Sequence, residues 1–115
     1  MKPLVTKEST MSGLFAHEVL HAYRVALEVA RWVRSARWPR GDAHLKDQAR
    51  RAADSVVLNL AEGASHVKGH RPKQFAIAKA SAAEVAACLE LAELSGWEEQ
   101  VAKLRRVKRM AERLR

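Results

Sequence analysis

The chain has 115 residues, 48% of them hydrophobic and 30% charged, a balance that excludes a disordered or fibrous polymer and fits one globular domain. Its 21 basic and 13 acidic side chains leave a formal charge of +8, which points to an anionic partner such as nucleic acid or a membrane surface. A single cysteine, Cys88, excludes an internal disulfide framework and suits a reducing cytoplasm. No window of 18 apolar residues is free of charge, so no spanning segment is expected. The opening MKPLVTKESTMSG lacks the apolar run of a secretory leader. Residues 1–13 read as a flexible arm, with Met11 a second candidate start, and 14–115 as one bundle.

The apolar period stays near 3.6 from Leu14 to Leu114 and breaks three times. The breaks are Trp38–Asp42, where Asp42 is placed to cap the second helix, Val67–Pro72, where Pro72 suits a first helical turn, and Ser95-Gly96, a C-terminal stop. They divide the chain into helices over 14–37, 42–66, 71–95 and 97–114, with no alternating run that reads as a strand. Short connections between long amphipathic helices favour antiparallel neighbours, hence an all-α, up-down-up-down four-helix bundle.

The first segment contains His17-Glu18-Val19-Leu20-His21, the H-E-x-x-H pattern in which two imidazoles hold zinc and the glutamate acts as base. The extended pattern asks for Gly at 24 and His at 27, where this chain has Arg24 and Leu27. With Arg24, Glu28 and Arg31 on the same face, the match reads as chance on a solvated surface, and no metal or cofactor is expected. Phe15 fits the core seam, Trp32 and Trp38 are expected to be partly exposed, and Leu20 and Leu27 fall outside the core arc.

The second segment sorts into three faces. Ala49, Ala52, Ala53, Val56, Val57 and Leu60 fill one arc, Lys46, Asp47, Arg50 and Asp54 the opposite one. Between them runs a polar stripe of Arg51, Ser55, Asn59, Glu62 and His66. Amides and hydroxyls at the edge of an apolar arc satisfy buried partners, because an unpaired one costs about 1–3 kcal/mol. In the alanine-rich third segment, Lys79, Glu90 and Glu93 share a narrow wet face, and Glu84 lies apart from them, between Ile77, Cys88 and Leu91. A carboxylate there needs a partner; Arg51 is the candidate, with Ser81 a second donor, the alternative being a hydrated groove. Arg51, Ser55, Asn59, Glu62, Ser81 and Glu84 thus form the expected polar network between the second and third helices. Leu58 falls outside the core arc.

The fourth segment carries the charge. Residues 103–115 hold seven basic side chains against one acidic, Glu112. Trp97, Val101, Leu104, Val107, Ala111 and Leu114 form its core seam, while Arg105, Arg106, Arg109 and Arg113 line the other face. Such a ridge suits a phosphate backbone; it also suits a solvated helix C-terminus, where cations are favoured.

The run RRAADSVVLNLAEG, then Ile77-Ala78-Lys79-Ala80-Ser81-Ala82-Ala83-Glu84, then Leu94-Ser95-Gly96-Trp97, resembles the small four-helix-bundle proteins encoded by intervening sequences of bacterial 23S ribosomal RNA genes. That family is similar in turn to the accessory variability proteins of diversity-generating retroelements. The family pattern R-R-A-x-x-S-I-P-x-N-I-A-E-G, then I-A-x-G-S-x-x-E, falls on Arg50, Arg51, Ser55, Asn59, Glu62, Gly63, Ser81 and Glu84, and its L-G-W ending on Gly96. Val57 replaces the family's usual proline, Ala80 its glycine, and Arg71 a common aromatic. The resemblance covers about residues 48–97. It implies a homo-oligomer, a pentamer of bundles around an axis, and in the retroelement relatives a nucleic-acid-binding accessory to a reverse transcriptase.

Ser55, Ser81 and Cys88 lack the convergent base and oxyanion donors of a nucleophilic site, so no enzyme is expected. The expected function is a basic homo-oligomeric bundle that binds RNA or DNA through its backbone. The rival is a protein interaction scaffold of the same fold with no nucleic-acid role; a third class is a zinc hydrolase using His17 and His21.

Overall fold

The computed structural model describes residues 14–65 and 71–114, with side chains from Glu18 onward. Within them lie four α-helices and no strand: α1 (Leu14–Ser35), α2 (Ala43–Ser65), α3 (Arg71–Ala92) and α4 (Trp97–Arg113). A short 3-10 turn, Arg40–Asp42, precedes α2. Each helix packs on its chain neighbour, and α1 packs on α4, so the four enclose one core. The expected arm over 1–13, the turn at Val67–His70, and the side chains of Phe15, His17 and His66 lie outside the described residues.

Small residues at helical spacing build that core. Val19, Ala22, Val25, Ala26, Val29, Ala30 and Val33 supply the α1 stripe, and Ala49, Ala52, Ala53, Val56, Val57 and Leu60 that of α2. Larger side chains anchor the other two helices: Phe75, Val85 and Leu89 from α3, Leu104, Val107 and Leu114 from α4. Each fully buried Leu or Phe contributes roughly 1.5–3 kcal/mol. The α2–α3 contact is the most extensive, and Gly63 explains its closeness. A Cβ at Gly63 would stand 2.7 Å from Cε1 of Phe75, whose ring occupies the place of a side chain.

Three expectations need correction here. The third helix stops at Ala92, not at Ser95. Glu93 takes the left-handed backbone (φ 51°), and Leu94, 6% exposed, then turns inward. The N–H of Trp97 bonds the carbonyl of Leu94 at 2.9 Å, and Gly96 at φ 87°, ψ 6° supplies the third position of a type II turn. Asp42 stands directly ahead of α2, but its carboxylate makes no capping hydrogen bond among the described residues; it closes the 3-10 turn, its N–H on the carbonyl of Pro39 at 3.0 Å. The outward side of α3 is no narrow charged strip, for Ile77, Ala80, Glu84, Ala87 and Leu91 are all exposed. Among side chains outside the core arcs, Leu27 still packs against the core, whereas Leu58 is 65% exposed.

Candidate functional site

Two groups of polar side chains were expected to matter. Helical spacing brings part of the first together, at the α2–α3 boundary. The hydroxyls of Ser55 and Ser81 lie 2.8 Å apart. Asn59, one turn on, donates its amide to the Ser55 carbonyl at 2.9 Å and to its hydroxyl at 3.1 Å. Ser81 is buried, so the bond satisfies a group that water does not reach freely. These three residues are a joint between helices.

The ionic half of the expected network is different. Arg51 does not reach Glu84: its Nη2 and Nε donate to Oδ2 of Asp47 at 2.6 and 3.1 Å. Asp47 sits one turn back on the same helix, and that reach costs no inter-helix ordering. Arg50 Nη2 takes the other oxygen of Asp47 at 2.9 Å. Held first by Arg50 and then by Arg51, the Asp47 carboxyl ionises below the usual carboxylate range. Ser81, expected as a donor to Glu84, is turned to Ser55 instead. Glu84 is exposed and accepts from Nε2 of Gln48 at 3.2 Å. The sequence reading missed Gln48; it lies seven residues before Ser55, two turns back on the same face, and that spacing is the signal for it. Glu62 lies on the exposed flank of α2 beside Leu58. An open groove of about 470 Å³ runs over the joint, with His44, Gln48, Arg51 and Glu84 on its walls. Further along α3, burial and the Glu84 charge push the Cys88 thiol up, toward its protonated form.

The second group, on α4, stands as the periodicity requires. Arg105, Arg106, Arg109 and Arg113 are all exposed. Arg106 approaches the Nε2 of His21 at 3.5 Å, and Arg113 the carboxylate of Glu18 at 4.0 Å. Lys103 belongs to the helix boundary, 3.2 Å from Glu28. Arg105, Lys108 and Arg109 have no acidic partner among the described residues. The charge is unevenly shared. From Glu18 on, α1 and α4 together carry nine basic and five acidic side chains, whereas α2 and α3 carry six and five. The exposed large hydrophobics, Leu58, Ile77 and Leu91, all lie on the less charged pair.

Of the H-E-x-x-H residues, His21 is exposed and faces a guanidinium, and no group of three His, Cys, Asp or Glu among the described residues is arranged to hold a metal. Gln100 is absent from the predicted α4 seam, yet it is 4% exposed, and its Oε1 lacks a hydrogen-bond partner among the described residues. No described helix is long and apolar enough to cross a membrane.

An all-helical bundle with a serine-centred joint and a basic outer helix is the class of protein these features define. The chain belongs to the 23S rRNA-intervening sequence protein family, whose model matches residues 18–114. No curated protein and no solved structure matches the chain.

Proposed function

We propose that the protein is a non-enzymatic, basic homo-oligomer, a pentamer of antiparallel up-down-up-down bundles, that binds RNA or DNA by its phosphate backbone. Cytoplasmic residence fits the one buried free thiol. The observation that carries the nucleic-acid reading is the α4 ridge: exposed Arg105, Arg109 and Arg113 at one-turn spacing with Arg106 beside them, and Arg105 and Arg109 unneutralised among the described residues. A surface of arginine without aromatic platforms suits backbone contact with little sequence reading. Repetition of the ridge around an oligomer would add weak contacts into useful avidity. A role beside a reverse transcriptase or another nucleic-acid machine belongs to the same reading.

Fluorescence anisotropy with labelled single-stranded RNA and duplex DNA, at 50 and 200 mM salt, tests this reading. Binding should weaken steeply with salt, by about 0.7–0.9 in log–log slope for each phosphate neutralised. The Arg105→Ala/Arg109→Ala variant should lose roughly two phosphates' worth of that slope for each protomer engaged. An absence of binding at 50 mM would leave the protein-scaffold reading, which the exposed apolar side chains of α3 favour. Light scattering should return five times the 12.8 kDa chain mass; a monomer would refute the assembly.

A further inference from the structure

On the outward side of α3, Ile77, Ala80, Glu84, Ala87 and Leu91 follow one another at steps of three and four, the spacing of a coiled-coil seam. The core side of the same helix is a separate stripe through Phe75, Ala78, Ala82, Val85 and Leu89. So α3 is apolar on two sides, and a helix of that kind is ordinarily covered on both. Ile77 is 38% exposed and Leu91 75%. Glu84, midway along, has Gln48 as its hydrogen-bond donor and no cationic partner among the described residues.

We propose that this seam is covered by the outer face of α1 from a second copy of the chain. The inference rests on the self-association reading and assigns its surfaces. A two-fold contact of α3 with itself is disfavoured: the seam is symmetric about Glu84, so an antiparallel pair would set two carboxylates against each other. The partner must instead bring a cation flanked by large apolar side chains. On α1, Leu20, Arg24 and Leu27 meet that need. Both leucines are half-buried, and Arg24 is exposed without an acidic partner among the described residues. Their steps of four and three repeat those of Ala80, Glu84 and Ala87, so large side chains meet small ones where Arg24 meets Glu84. The α4 ridge offers arginines but no exposed large apolar side chain between them, and it stays free for phosphate. A contact between two different faces is head-to-tail and closes into a ring when its rotation permits.

Light scattering across a concentration series tests the assignment, with circular dichroism as a check on folding. Wild type should be an oligomer. Glu84→Arg and Arg24→Glu should each shift assembly at least about tenfold toward higher concentration through like-charge contact, and the double variant should recover it. Glu84→Gln should also weaken assembly; if it strengthens it, α3 pairs with itself and the assignment falls. If wild type assembles but both single reversals do so equally well, the surfaces are wrong and self-association stands. If wild type is monomeric throughout, both readings fall.

Discussion

Replacing Gly63 by alanine should destabilise the protein, although the same change in an open helix would stabilise it. Alanine gains about 1 kcal/mol over glycine inside a helix. Against this, the new Cβ would lie 2.7 Å from Cε1 of Phe75 and 3.1 Å from Cδ1 and Cζ. Carbon atoms attract best at about 3.5–4.0 Å, so the ring must retreat by nearly 1 Å. Phe75 is 1% exposed, so its ring moves only at the expense of its core contacts. Overpacking of this kind costs about 1–3 kcal/mol, which leaves a net loss of up to about 2 kcal/mol after the helical gain. For a chain of this size that corresponds to a melting temperature lower by up to roughly 10 °C. The assay is thermal and urea unfolding followed by circular dichroism at one fixed protein concentration, since assembly would make the midpoint concentration-dependent. Gly41 is the control: nothing lies within 4 Å of its would-be Cβ, and Gly41→Ala should be neutral or stabilising by up to about 1 kcal/mol. In a Phe75→Leu background the Gly63→Ala penalty should shrink by about 1 kcal/mol or more. A Gly63→Ala protein that melts clearly above wild type refutes the close approach of α2 and α3.

Ser55→Ala and Ser81→Ala should each cost about 1–2 kcal/mol, and the double variant less than their sum by about 1 kcal/mol, because Ser55→Ala strands the buried Ser81 hydroxyl and Ser81→Ala leaves Ser55 with Asn59 alone. Additive losses in a double-mutant cycle would show that the hydroxyls do not depend on each other. Gln100→Met should stabilise by about 1 kcal/mol, since an apolar side chain of similar length replaces a buried acceptor without a partner among the described residues; a lower unfolding midpoint would contradict this. The Asp47 carboxyl has a lowered folded-state pKa, so its contribution is present above the unfolded value near 3.9 and is lost as pH falls through the folded one. NMR titration should place its midpoint below that of an Arg50→Gln/Arg51→Gln variant, by a gap that narrows with salt; equal midpoints would remove the pairing.

The helices were legible because their apolar residues recur at one period and their breaks carry Pro and Gly. The serine joint was legible for a related reason, since Ser55 and Asn59 share a face one turn apart. Pairing of Arg51 was not. A wheel places a long cation on a face without saying which of two acids it takes, and Asp47 wins through proximity along its own helix. The end of α3 is not legible because glycine is the usual stop, whereas here Glu93 adopts the left-handed conformation and Gly96 serves the following turn. Gln100 was passed over as a polar residue, although its angular position lies between Val107 and Leu104.

The indole of Trp32, on α1, lies beside the corner that joins α3 to α4, within 3.8 Å of a would-be Cβ on Gly96. Lifting the last helix away from the first would wet that ring and change its emission. The protein therefore contains its own optical gauge of whether the arginine-bearing helix stays docked while the ridge is loaded with polyanion, and no attached dye is needed to read it.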